Sequence, residues 1–356
     1  MGIDLDNTKT ISNELRRVIR QTLVREGVIS GMSAEPWVDL DWASIGVLPY
    51  VSEFVPAVIQ AETLETKLKR LRPIIDAEIA RVRETVARAE SVNSEDFDLR
   101  GELYRLAFEV APEARRQDLE YMKEWINPSL GEKAVDIAAG TGFLTIPVTT
   151  WTQGKTYAVD PSEVQLGNLS KKKKGLNIQT VVGSLSEPSA VEAIGEDSGN
   201  IDLITSYGGL HHVVDQDGEN KQRKLFENAA KILKVGGRFV AGDVGADTPL
   251  AKHFEVSVKN NCLTSHEEKW LSPERLQKEL VEGTGLDYVK SEIVPVEWIF
   301  KSEEQMALFM KCLHAYDMTD QEILDDLKSI LGYEVDPSGE CRLHWPMLLF
   351  HLEKRR

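Results

Sequence analysis

The chain has 356 residues, enough for two to three units of about 150 residues with an ample buried core. Its 42 Lys and Arg against 58 Asp and Glu leave a formal charge of −16, which repels phosphate backbones and anionic lipid and argues against nucleic-acid and membrane partners. The three cysteines (Cys262, Cys312, Cys341) form no CxxC pair, the opening MGIDLDNTKT has no signal peptide's apolar core, and no apolar run reaches the ~20 residues of a bilayer span, so a soluble protein of a reducing, cytoplasmic compartment is expected.

The first 125 residues read as helices. Ile11, Leu15, Ile19 and Leu23 recur every four residues, one stripe of an amphipathic helix that ends near Gly27. Residues 28–60 are less regular. From Glu62 to Glu90 the pattern is helical again, with Pro73 expected to kink or break it, and further helices are predicted around 97–109 and 112–126.

At Gly131 the texture changes. Short apolar runs at 134–138, 156–159, 178–182, 201–206 and 238–244 alternate with helix-like segments near 162–171, 187–195 and 220–234. Strands alternating with helices predict right-handed crossovers and a parallel sheet covered on both faces. Ser272-Pro273 opens another helix, to Glu282. Residues 288–300 and 341–354 read as two last strands, separated by helical runs at 303–316 and 319–331. The predicted domains are a helical lid or dimerisation region over 1–125 and a doubly wound α/β domain over 126–356, carrying a helical insertion at 301–340.

The informative segment is Ala134-Val-Asp-Ile-Ala-Ala-Gly-Thr-Gly-Phe143, an apolar strand that ends in a glycine-containing turn before a helix. Glycine lets backbone approach a ligand closely, the helix N-terminus adds partial positive charge, and doubly wound folds bind ligands at this strand end. Asp160 ends the next strand, where a carboxylate can accept hydrogen bonds from both ribose hydroxyls of a nucleoside cofactor. With Pro161 behind it, Asp160 can equally cap a helix. These two elements leave NAD and S-adenosylmethionine open. A dinucleotide fingerprint counted from Gly140 requires a third glycine where Thr145 stands.

Counted from Ala138, the turn reads Ala-x-Gly-x-Gly behind Asp136, and here the sequence resembles the class I S-adenosylmethionine-dependent methyltransferases, with Ala138 in place of the first family glycine. Further matches follow in family order: Gly183-Ser184-Leu185 after the third strand, where the family commonly has Gly-Asp-Ala; Asp202 to Val213 with its Leu-His-His-Val ending; and Leu233-Lys-Val-Gly-Gly before the fifth strand. The resemblance is good over roughly 130–245 and loose beyond. It implies a seven-stranded, mostly parallel sheet. It also implies a cofactor site of Asp136, Ala138, Gly140, Gly142, Asp160, Ser184 and Ser206, with Asp136 and Gly140 near the methionine part, Asp160 on the ribose and Ser184 at the adenine.

His211 and Tyr207, past the fourth strand, are the catalytic candidates that the resemblance implies; Tyr104, His212 and Trp298 are the substrate-contact candidates. Each has a plain alternative. Asp136 can organise the turn, the His211–His212 pair can pack the loop, and Tyr207, Tyr104 and Trp298 can be core. The remaining histidines show no HxH or HExxH spacing, so no metal is expected.

The expected function is methyl transfer from S-adenosylmethionine to a small-molecule metabolite, with an O, N or S acceptor ahead of carbon. Two rivals keep the fold: a protein that uses the cofactor without transferring its methyl group, as in a cyclisation or rearrangement, and a non-catalytic cofactor-binding scaffold. A homodimer is a possible assembly.

Overall fold

A computed structural model describes residues 63–88, 97–215, 219–264 and 266–355. The chain divides into two units, the first ending at Lys69 and the second spanning Arg70–Arg356. The stripe at Ile11–Leu23 and the irregular stretch at 28–60, the first half of the expected N-terminal helical region, lie outside the described residues.

Helix α1 (Leu64–Arg88) runs through Pro73 without a break. Leu71, Ile75, Ile79 and Val82 form its buried stripe, and Pro73 sits on the opposite, exposed face. Helices α2 (Gly101–Val110) and α3 (Arg116–Ile126) follow at the expected places.

The seven-stranded sheet is ordered β3-β2-β1-β4-β5-β10-β6. β1 (Ala134–Ile137), β2 (Thr156–Asp160), β3 (Ile178–Val182), β4 (Ile201–Tyr207) and β5 (Leu233–Asp243) pair in parallel, joined by helices α4 (Thr145–Thr152), α5 (Glu163–Lys172), α6 (Pro188–Ile194) and α7 (Lys221–Ile232). β10 (Met347–Lys354) runs antiparallel to both β5 and β6 (Leu286–Val294). The sheet switches direction at β1, with β2 on one side and β4 on the other, which opens a crevice above the strand ends. The interior strands are buried on both faces: every residue of β1 and β2 is buried, and Val135, Ile204, Phe239 and Phe350 share one core with α7.

The two long strands expected at the C-terminal end are each cut in two by a proline. Pro295 separates β6 from β7 (Glu297–Phe300), and Pro346 separates β9 (Cys341–His344) from β10. Proline has no N–H to donate to a ladder, and at both positions the chain leaves the main sheet. The freed halves form a second antiparallel sheet, β7-β9-β8, with β8 at Tyr333–Val335. Between β7 and β8 lie two helices, Glu303–His314 and Asp320–Ile330, the helical insertion read from the sequence.

A helix the sequence reading did not anticipate starts as α8 (Pro249–His253). It passes through a π-helical turn at Phe254–Val258 and ends as Lys259–Asn261. The helix expected at 272–282 is a short turn capped by Ser272, followed by a second π-helical turn at Leu276–Val281. No described helix is long and apolar enough to cross a membrane.

Candidate active site

One cavity of about 600 Å³ lies above the carboxyl ends of the parallel strands, within the size range of small-ligand sites. Its two ends are built differently.

The cofactor-motif end is mostly backbone. After β1 the chain turns through Ala138, Gly140 and Gly142, at φ of +53°, +51° and +89°. Glycine adopts these angles without a Cβ penalty, whereas Ala138 is held there at a cost of about 1–2 kcal/mol. A Cβ on Gly140 would meet nothing within 4 Å, so this glycine leaves open space beside the cavity it lines. Gly142 does a different job: a Cβ there would stand 2.4 Å from Leu169 Cδ1, so it lets α5 close on the turn.

Asp160 at the end of β2 lines the cavity and joins the turn to the next loop. Its Oδ2 accepts from the Gly140 N–H at 2.8 Å and its Oδ1 from the Ser162 N–H at 2.9 Å. Burial pushes the carboxyl above its usual range, against those two backbone hydrogen bonds. The cap of α5 is Ser162, whose Oγ accepts from the Gln165 N–H, so Asp160 is not the cap. Ser184 lines the same end, with its Oγ 2.8 Å from Ser186 Oγ. Gln165, which the sequence reading passed over, also lines it, and its Oε1 is buried without a partner.

Asp136 does not reach the cavity. It is buried beneath the turn, where it accepts from Thr145 Oγ1 at 2.5 Å and Thr205 Oγ1 at 2.7 Å, tying β1 to α4 and β4. Desolvation pushes its carboxyl up to about 7. Its placement matches the turn-organising alternative. Ser206 also points away, donating to the Ile137 carbonyl at 2.9 Å, and Gly142 is packed under α5.

The other end is built from side chains. Tyr207 and Trp298 line the cavity while both donate to buried Asp118, the hydroxyl to Oδ1 and the indole Nε1 to Oδ2 at 2.8 Å. Burial, then the neighbouring Asp118 charge, holds the Tyr207 hydroxyl well above its usual range, so it stays protonated. Arg115 approaches the same carboxylate at 3.6 Å, and its guanidinium lies 4.1 Å from the centre of the Phe143 ring and 4.9 Å from that of Trp298. Trp298 stacks on Trp345 at 3.8 Å. Tyr104 of α2 lines this end beside Phe108.

His211 and His212 occupy a 3₁₀ turn just past β4 (Leu210–His212). Asp243, the last residue of the neighbouring β5, holds that turn. Its Oδ2 accepts from the Leu210 N–H at 2.7 Å, and its Oδ1 from His211 Nδ1 at 2.6 Å. With the proton on Nδ1, the Nε2 of His211 carries a lone pair, and it is buried without a partner. That nitrogen can take a proton or bind a cation. His212, His266 and His314 line the cavity too, and burial depresses all three, His266 to about 2.

Of the residues singled out in the sequence, Ala138, Gly140, Asp160, Ser184, Tyr207, His211, His212, Tyr104 and Trp298 share this one cavity. Asp243 was legible as an acid closing the strand next to His211. Arg115, His266, His314 and Trp345 carried no local signal.

Residues 134–237 match a family model described as a methyltransferase domain. Among solved structures, the YcgJ protein of Bacillus subtilis is similar at 18% identity over 68% of this chain and 99% of its own, with a TM-score of 0.48. A putative methyltransferase of Bacillus halodurans C-125 is similar at 16% identity over 67% of this chain and 100% of its own, also at 0.48. No curated protein matches the chain. The matched family and the doubly wound sheet define a class I S-adenosylmethionine-dependent methyltransferase domain.

Proposed function

We propose that the protein transfers a methyl group from S-adenosylmethionine to a small molecule with an apolar or aromatic body and an O, N or S nucleophile. The observation that carries this reading is the continuity of the cavity: Ala138, Gly140, Asp160 and Ser184 at one end open directly onto Tyr207, His211 and Trp298 at the other.

The residues present fit the cofactor. The Cβ-free space at Gly140 admits a ligand against the backbone, and the two Asp160 oxygens, each using one lone pair on a backbone N–H, keep others for ribose hydroxyls. Gln165 Oε1, buried and unpartnered, is a further acceptor for a polar group at that end. When bound, S-adenosylmethionine supplies an electrophilic methyl group on a positively charged sulfur.

The chain's own contribution at the far end is to position the acceptor and exclude water. The stacked pair of Trp298 and Trp345 gives a flat apolar wall, fixed by the hydrogen bond to Asp118. Arg115, lying on aromatic faces, offers a cation for an anionic group. Tyr207 keeps its proton on the Asp118 side and acts as a positioning group. His211 Nε2 is the lone pair placed to take a proton from a hydroxyl or amine acceptor.

Calorimetry with S-adenosylmethionine and its demethylated product tests the first half. One site in the micromolar range is expected, and absence of heat with both rejects the reading. Methyl-labelled cofactor offered with panels of phenols, amines and thiols tests the second half; tight binding without any labelled product would instead favour a non-methylating use of the cofactor.

A further inference from the structure

The chain has no metal-type spacing in its sequence, yet the fold gathers three imidazoles at the acceptor end of the cavity. His211 and His212 come from the turn after β4, and His266 from the segment that follows the π-helical turn, 54 positions beyond His212. One ring nitrogen from each lies within 4.8 Å of the others. Nitrogens at about 2.1 Å from one tetrahedral ion stand roughly 3.4 Å apart, so modest side-chain rotation closes the set around a single centre.

The second observation is how the rings are held. His211 Nδ1 donates to Asp243 at 2.6 Å and His266 Nδ1 to Glu268 at 2.9 Å. Both rings and both carboxylates are more than nine-tenths buried. In each ring the remaining Nε2 is buried and has no partner. A carboxylate behind an imidazole fixes the tautomer and raises the basicity of the outer nitrogen, the arrangement found behind metal-bound histidines. A buried nitrogen left without a partner is destabilising, and a shared cation would partner both. All three rings line the cavity, so a fourth position faces the space where an acceptor sits.

We propose that His211, His212 and His266 bind one divalent first-row transition-metal ion, with an open coordination position toward the cavity. Three neutral nitrogen donors with no oxygen ligand suit zinc, cobalt, nickel, copper or ferrous iron and not magnesium or calcium. The open position takes an oxygen, nitrogen or sulfur atom of the acceptor, which fixes its orientation. In the loaded protein the His211 lone pair is engaged by the ion, so the ion and not the imidazole meets the acceptor. Asp243 and Glu268 are positioning residues.

The test uses the full chain, stripped with a strong chelator and titrated with cobalt(II), then competed with zinc. One equivalent is expected, with the visible absorption of a four- or five-coordinate cobalt centre, and magnesium in excess leaves the spectrum unchanged. His266→Asn is expected to weaken cobalt binding by at least 100-fold. Glu268→Gln, which keeps all three imidazoles, should weaken it 10- to 100-fold. Circular dichroism on the same samples establishes that the variants fold. Absence of saturable cobalt absorption, or equal binding by wild type and folded variants, overturns the site. Calorimetry with S-adenosylmethionine on the same preparations keeps the two readings apart. Cofactor binding without cobalt rejects the metal site alone, and cobalt binding without cofactor rejects the methyl-transfer reading alone.

Discussion

The two ends of the cavity differ in what builds them. The cofactor-motif end is a backbone object: a 5-residue turn from Ala138 to Gly142, with three left-handed positions, one strand-end carboxylate and a hydroxyl row at Ser184 and Ser186. The far end is a side-chain object assembled from Arg115, Tyr207, His211, His266, Trp298, His314 and Trp345, which six separate segments supply. A backbone site tolerates little change in local sequence. A side-chain site can be rebuilt residue by residue while the sheet stays as it is, which is how one fold serves many acceptors.

The sharpest way to break this comparison is a substitution that silences one end and spares the other. His211→Ala removes the unpartnered Nε2 and leaves the turn at Gly140 untouched. In chelator-stripped, metal-free protein, with an acceptor identified by labelled transfer, kcat is expected to fall by about 10²–10⁴-fold, the usual worth of a positioned proton-transfer group. The cofactor dissociation constant should stay within about twofold. A parallel loss of cofactor affinity would mean that the two ends are not separable.

Gly140→Ala is the reciprocal probe. The added Cβ meets nothing within 4 Å and enters open space beside the cavity, while the backbone stays at a left-handed angle that Ala138 already accepts two residues earlier. Calorimetry should show cofactor affinity reduced at least tenfold, and urea unfolding a stability loss of about 1–2 kcal/mol. Unchanged affinity would remove Gly140 from the cofactor cradle.

This contrast also explains what could be read in advance. The sheet was legible because each interior strand is a short apolar run bounded by turn residues, and the cofactor turn because its residues are contiguous. Ala138 to Asp160 are one crossover unit, so sequence order and spatial order coincide. The far end was hidden because its residues are brought together by the turn after β4, the helix at Glu303–His314 and the loop that leads to Trp345, with no shared spacing. The prolines at 295 and 346 were visible, yet a strand pattern on both sides of each outweighed the missing N–H. The second sheet therefore became apparent only in the fold.

Asp136 separates a supporting role from a binding one by its pH dependence. Its carboxyl is raised to about 7 from an ordinary 3.8, chiefly by desolvation. A group whose folded value is raised contributes stability that is fully present below the unfolded value and lost as pH rises through the folded one. Wild-type stability relative to Asp136→Asn should therefore fall between about pH 4 and pH 7, with a slope of at most ~1.4 kcal/mol per pH unit, and level off above. Urea unfolding at pH 5 and pH 8 measures this directly. A pH-independent difference would place Asp136 outside the buried network with Thr145 and Thr205.

The smallest expected effect concerns the departure from the family pattern at Ala138. Its Cβ occupies the notch left by Gly209, where a second Cβ would stand 2.3 Å away; the next atom of Ala138 is its Cα, at 3.8 Å. Gly209 itself has φ of −138°, an angle any residue adopts, so packing alone forbids a side chain there. Ala138→Gly relieves about 1–2 kcal/mol of left-handed strain and loses about 0.5–1 kcal/mol to the greater freedom of the unfolded chain, for a net gain of at most ~1.5 kcal/mol. Gly209→Ala alone should destabilise through the 2.3 Å clash. In the double variant the nearest contact relaxes to an ordinary 3.8 Å, and most of that stability should return. The double-mutant cycle is read by urea unfolding and has an expected coupling of 0.5–3 kcal/mol. Additive effects would show that the turn after β4 is not packed on the cofactor turn, and that the two ends of the cavity do not meet at this contact.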